Sequence, residues 1–190
     1  MNREKQFGPR SAFLLRIHLR DIEPQIWRQV MVPGSLNLAK LHLVIQGAFD
    51  WESYHLHQFE IYGKRYGLPE NDWDENDELL HEELWRLHQL LKVNDHFTYV
   101  YDFWDHWVHD IEVEGAEHVS RTLKKAVCLG GARARPPEDV GGVSGFEHFL
   151  EVMANPRDEE YVDMVAWHGE RFKPERFSLF DVNGQIQSRN

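Results

Sequence analysis

Three short segments of the chain carry side chains able to do chemistry together. The first holds His55 and His57. A His-x-His pair on a strand puts both rings on one face, about 7 Å apart at the backbone, where they can serve a metal ion. The same spacing fits a His57 at the edge of a core with His55 in solvent. The second segment gathers Asp102, Asp105, His106 and His109 around a tight turn. Carboxylates and imidazoles around a turn can converge on one cation, and such a mixture suits manganese, iron or zinc. Alternatively, Asp105 hydrogen-bonds turn amides, and His109, beside Trp107 and Ile111 on an apolar face, is a satisfied core histidine. The third segment is Glu138 and Asp139, after Pro136-Pro137 and before Gly141-Gly142. The prolines preset the chain and the glycines permit unusual dihedrals or close approach. Loops of such geometry often carry sites, although these carboxylates could equally cap the helix opening near Ser144. Arg133 can pair with either acid, which favours the ionised form.

Taken together, His57, Asp102, Asp105, His109, Glu138 and Asp139 are expected to line one pocket walled by Trp51, Trp104 and Trp107, with His55 and Arg133 among its residues. Apolar walls with few polar groups describe a ligand site. The same six acids and histidines are the candidate ligands of a divalent metal. As an enzyme, the site would use a carboxylate or histidine as general base on a bound water. Cys128 as a nucleophile would need an activating base and an electropositive setting. No histidine adjoins it in sequence, so it reads as a core cysteine.

The elements that must position these residues show in the periodicity. Phe13, Leu15, Ile17 and Leu19 alternate with polar residues, and Ile26 to Val32 alternates again after Glu23-Pro24, giving two antiparallel strands. Leu38, Leu41, Ile45 and Ala48 have helical spacing behind an Asn37 cap, and Gly47 costs the last turn of that helix about 1 kcal/mol. His57, Phe59 and Ile61 return to strand period, followed by a short Arg65-Tyr66 strand. Residues 69–83 are acidic and read as an exposed loop, and 84–91 as a short helix. Residues 96–113 read as a β-hairpin with Trp104-Asp105-His106 at its tip. Residues 128–143 read as a structured loop. A helix opens at Ser144 with a Ser144–Glu147 capping box, and another spans 158–168 with Gly169 as its stop. Phe177, Phe180 and Val182 dock the tail. The expected architecture is α+β: one domain over residues 12–190, a mainly antiparallel sheet with helices packed on it, behind a flexible stretch at 1–11.

Composition bounds the function classes. With 42% hydrophobic and 13% aromatic residues the chain is globular. It has one cysteine, so no internal disulfide forms and a reducing, cytoplasmic setting is expected. No apolar run approaches the ~20 residues of a membrane helix. The net charge of −11 argues against gripping nucleic acid, whose binding rests on basic contacts. The basic run Arg121 to Lys125, with Arg133 and Arg135, is sparse and reads as a solvated face.

Several motifs occur in an order that resembles one family. They are Ile26-Trp27-Arg28 with Val32-Pro33-Gly34; Leu41-His42, Ile45-Gln46 and Trp51-Glu52; His55-Leu56-His57-Gln58-Phe59; Tyr101-Asp102-Phe103-Trp104-Asp105 with Trp107 and His109; and Arg133 to Gly142 around Pro136-Pro137-Glu138-Asp139, then Gly145-Phe146. Over residues 12–182 the chain resembles the plasmid pRiA4b ORF-3-like family. The resemblance implies an α+β fold and plasmid or mobile-element gene contexts, and no particular activity. The chain departs from the pattern at Trp104, where the family commonly has glycine, and at Arg135 and Val140, where it commonly has cysteine. With Cys128 alone left of that set, a thiolate metal site cannot be complete, because zinc prefers a closed set of four ligands. Relatives labelled resolvase-like would need a nucleophilic serine among arginines and a basic DNA-binding helix, and this sequence shows neither. The first functional expectation is a non-enzymatic binding module for a protein or small ligand, acting through a tryptophan-rich surface. The alternatives are a metal-assisted hydrolase using the Asp/His/Glu pocket and a nucleic-acid-binding accessory of a mobile element.

Overall fold

Alternating apolar residues build the first hairpin. In this computed structural model, which describes residues 7–69, 79–118 and 123–189, Ser11–Leu19 forms β1 and Trp27–Pro33 forms β2. The two pair antiparallel, Phe13 opposite Val32 and Leu15 opposite Val30, and all four side chains are buried. Burying such a side chain contributes about 1.5–3 kcal/mol. A one-residue slip would turn the whole row to solvent, so the register is firmly specified.

The remaining elements are α1 (Leu38–Phe49), β3 (His57–Ile61), β4 (Lys64–Gly67), β5 (Leu79–His81), a 3-10 turn at Glu82–Leu84, α2 (Leu87–Leu90), β6 (His96–Tyr101), β7 (Trp107–His118), β8 (Val127–Ala132), α3 (Gly142–Ala154), α4 (Tyr161–His168) and α5 (Leu179–Arg189). The strands form one sheet in the order β5-β4-β3-β6-β7-β1-β2-β8. All named pairs are antiparallel except β4 with β5. Buried residues of β1, β2, β3, β6 and β7 join those of α1, α3 and α5 in one core, the α+β arrangement expected from the sequence. Among the described residues, no helix is long and apolar enough to cross a membrane.

Asn37 caps α1, its side chain accepting the Lys40 N–H at 3.0 Å. Gly47 has a packing reason: a Cβ there would sit 2.8 Å from Ile186 Cα, so its absence lets α5 lie directly on α1. Of the stretch expected to be flexible at 1–11, residues 1–6 lie outside the described residues, Phe7 packs edge-on against Phe13 and Ser11 opens β1.

Four expectations about elements need correction. Residues 70–78 of the acidic loop lie outside the described residues, but Leu79–His81 is a strand and Glu82 is buried. The loop expected at 128–143 begins as edge strand β8 against β2; Gly130 and Gly131 hide its period. The Ser144–Glu147 capping box does not form, because α3 starts two residues earlier, behind Gly141 in the left-handed region. The tail is a full helix, α5, whose apolar contribution is little more than Val182 and Ile186.

Candidate metal centre

The β6–β7 hairpin and the loop before α3 meet at one corner of the sheet. Pairing of β3 with β6 sets His57 opposite Tyr101, which brings His55 and Leu56 beside the hairpin turn. The Asp102 N–H donates to the Leu56 carbonyl at 2.9 Å and fixes that approach. Asp102 is itself in the left-handed region (φ 57°), as is Asp139 (φ 56°). Aspartate is among the few residues that tolerate this conformation. Across the corner, Asp105 Oδ2 accepts the Gly141 N–H at 3.1 Å. Gly142 (φ 69°) comes so near that a Cβ would lie 2.7 Å from the Asp105 carbonyl oxygen. The Gly141-Gly142 pair thus allows the acidic loop to dock on the hairpin tip.

Docking aims three carboxylates at one imidazole. His55 Nε2 lies 3.5 Å from Asp102 Oδ2, 3.2 Å from Asp139 Oδ1 and 3.9 Å from Glu138 Oε2. Each carboxylate is held from behind by its other oxygen. Trp104 N–H donates to Asp102 Oδ1 (2.9 Å) and the Tyr54 hydroxyl to Asp139 Oδ2 (2.7 Å). Glu52 N–H (2.6 Å) and the Tyr101 hydroxyl (3.2 Å) donate to Glu138 Oε1. His55 Nε2 and Glu138 Oε2 are buried and make no hydrogen bond. Orphaned buried groups are costly, and outer donors that orient inner carboxylates are the habit of metal centres.

The donor set fits an ion. The ligand atoms of His55, Asp102 and Asp139 all lie within 4.8 Å of one another. Bonds of ~2.0–2.1 Å in a tetrahedral site put neighbouring ligands about 3.3 Å apart, close to the 3.2 and 3.5 Å from His55 Nε2 to the two aspartates. Among the described residues, no lysine or arginine pairs with these carboxylates. Burial pushes the Glu138 carboxyl up, against the stabilising Glu52 N–H and the nearby Arg135 charge. Burial and the adjoining carboxylates also raise the Tyr54 and Tyr101 phenols, which stay protonated and donate.

The other residues expected in this pocket are elsewhere. The His-x-His pair splits because His55 precedes β3. His57 Nε2 is 3.0 Å from Glu82 Oε2, and its ring stacks on His42 at 3.6 Å. His109 is fully buried and satisfied: Nδ1 bonds the Trp107 carbonyl (3.0 Å), and Nε2 accepts the Trp51 indole N–H (3.3 Å). Burial pulls its pKa down to about 4. Trp51 and Trp107 stack inside the core, 5.7 Å apart, whereas Trp104 is 95% exposed at the hairpin tip, so the three do not form a wall. Asp105 joins the two segments through Gly141 rather than facing His55. Arg133 donates to the Pro24 carbonyl (2.7 Å) and pairs with Glu175, not with Glu138 or Asp139. Cys128 is buried, its thiol raised by burial. The sequence reading missed Tyr54, Tyr101 and Glu52 as outer donors. The available signal was adjacency: Tyr54-His55 and Tyr101-Asp102 each place a phenol next to a candidate ligand.

Beside Asp139, a cleft of about 360 Å³ opens between α3 and α4, with Phe149, Met164 and Trp167 as apolar wall and His148 and Glu160 at its edge.

Comparison with known proteins places this geometry in context. Residues 11–181 match the family described as plasmid pRiA4b ORF-3-like protein. A protein of Sinorhizobium fredii (strain NBRC 101917 / NGR234), described as uncharacterized protein y4hQ, is 33% identical over 163 residues, covering 84% of this chain and 81% of its own. The crystal structure of the protein of unknown function MM3350 from Methanosarcina mazei Go1 superposes with a TM-score of 0.81 at 35% identity, covering 90% of this chain and 96% of its own.

Proposed function

The chain belongs to the plasmid pRiA4b ORF-3-like family, and from that premise we propose that it is a metal-assisted hydrolase. His55, Asp102 and Asp139 hold the ion, and Glu138 acts as general base. The observation that carries the reading is the convergence of His55 Nε2 and three carboxylate oxygens on one point, each acid oriented by a donor behind it, with no hydrogen bond made by His55 Nε2 or Glu138 Oε2. Three protein ligands leave a position for water, the pattern of catalytic rather than structural sites. A divalent ion, when bound, would supply acidification of that water toward neutrality. Glu138 Oε2 would take the proton of a water held there and pass it to the leaving group as an ester or phosphoester is hydrolysed. The cleft beside Asp139 offers room for the body of the substrate. The binding-module reading asked for a tryptophan-rich surface; with Trp51 and Trp107 in the core, it has less support.

The test has two readouts on purified protein. Elemental analysis should find close to one equivalent of zinc, manganese or iron, lost on chelation and absent from Asp102→Asn. A panel of chromogenic esters and phosphoesters should show turnover that needs the metal and falls sharply in Glu138→Gln, which should still bind it. Metal-free protein that takes up none of these ions would end the reading. Turnover unaffected by Glu138→Gln would remove the base from it.

A further inference from the structure

The chain carries eleven more acids than bases, yet one pocket gathers positive charge. Arg135 and Pro137, just ahead of Glu138 and Asp139 in sequence, are among its lining, and it measures about 270 Å³. Arg28, Arg135, Arg171, Lys173 and Arg176 line it, against Asp50, Glu170 and Asp181. One of those acids is already engaged, Glu170 pairing with Arg176 at 3.6 Å. Arg171 and Lys173 are exposed and have no ion-pair partner among the described residues.

The pocket's most informative residue is Arg28, which is only 3% exposed. A buried charge normally has an opposite charge beside it. Arg28 has none among the described residues. Its guanidinium donates to four carbonyls instead, those of Ala48, Trp27, Ala132 and Arg133, at 2.8–2.9 Å. Two aromatic faces, Phe49 and Phe177, flank it at 5.0 and 4.9 Å. Of the five N–H groups of a guanidinium, these bonds occupy four, leaving one Nη2 donor without an acceptor. Burial pulls the Arg28 pKa down to about 10, so the side chain remains a cation. Arg135 repeats the pattern higher up. Its Nε donates to Asp50 O and its Nη1 to Pro136 O, while Nη2 makes no bond to the described residues.

We propose that this pocket binds a small molecule carrying a phosphate or carboxylate group, with Arg28 and Arg135 supplying spare guanidinium donors and Arg171 and Lys173 the surrounding field. Guanidinium forks match the geometry of both oxyanions. Phe172, Phe177 and Val182 give the pocket an apolar side on which the rest of the ligand rests. The proposal is independent of the metal centre, because none of His55, Asp102, Glu138 and Asp139 lines the pocket.

Titration calorimetry at low ionic strength, on chelator-treated protein, tests it with inorganic phosphate and with acetate. One saturable site is expected, and the anion that binds more tightly names the group. Because Arg28 is buried, its replacement would test folding as well as binding, so the deciding variant is Arg171→Glu/Lys173→Glu, both exposed. Reversing two charges of the surrounding field should weaken binding by about tenfold or more, while His55→Ala, which damages only the metal centre, should bind as the parent does. Absence of saturable binding by either anion, or unchanged affinity in the double variant, overturns the proposal.

Discussion

Replacing Asp102 by asparagine should have opposite effects on the metal-free and metal-loaded protein. Asparagine keeps the Oδ1 acceptor for the Trp104 N–H and tolerates the left-handed backbone (φ 57°), so the turn survives. What is lost is one negative charge. The ligand oxygens of Asp102 and Asp139 lie within 4.8 Å. At that separation, like charges repel by about 1 kcal/mol in a water-like dielectric and about 3 kcal/mol at an effective dielectric of 20. Asp139 is 62% exposed, so the lower figure applies. Metal-free Asp102→Asn should therefore equal the parent in stability or exceed it by about 1 kcal/mol. With metal at a hundredfold its Kd, the parent gains about 2.7 kcal/mol, which in a domain of this size raises Tm by about 5–11 °C. The variant should gain little of this. Thermal unfolding followed by circular dichroism, with chelator and then with zinc or manganese, reads both arms. A parent whose Tm ignores both ions, or a variant that keeps the full metal-dependent rise, would refute the reasoning. A large metal-free loss in the variant would make Asp102 a structural cap.

Gly142→Ala should destabilise the protein by about 2 kcal/mol or more, because alanine would be strained at this positive φ and its Cβ would meet the Asp105 carbonyl; urea unfolding measures it, and metal affinity should fall with it. Gly47→Ala should cost about 1–3 kcal/mol in the same assay by pushing α5 off α1, although alanine is the better helix former. His109 has a folded pKa of about 4, below its unfolded value. Its stabilising contribution is therefore present above about pH 6.5 and lost as pH falls toward 4, a total of about 3 kcal/mol. Urea midpoints between pH 7 and pH 4 should drop less steeply in His109→Gln than in the parent. A parent stability that stays flat over that interval would mean that the histidine is not held neutral.

What could be read from the sequence was whatever repeats over several residues. The β1 and β2 alternation, the α1 stripe behind Asn37 and the 96–113 hairpin are periodic, and each carries its own phase. Strand β8 and helix α5 are not: Gly130-Gly131 gives no side chain to alternate, and α5 buries little beyond Val182 and Ile186. Their existence is decided by tertiary contact, β8 against β2 and α5 against α1.

The carboxylate corner was legible to the same degree, and for the same reason. Acid and histidine types at Asp102, Glu138 and Asp139 announce possible ligands, and the Gly141-Gly142 pair suggests close approach, but neither says which histidine they meet. The choice between His55 and His57 depends on where β3 begins: two more residues of strand would have put both rings on one face. With β3 opening at His57, that ring turns to Glu82 and His42, and His55, still in the approach to the strand, is free to face the acids. Likewise, the three tryptophans differ in position, not in type. Trp51 follows α1 and Trp107 opens β7, and both are buried in the core, whereas Trp104 sits on the turn itself. The register of one strand and the tip of one hairpin therefore convert a scattered set of polar residues into one imidazole facing three oriented carboxylates.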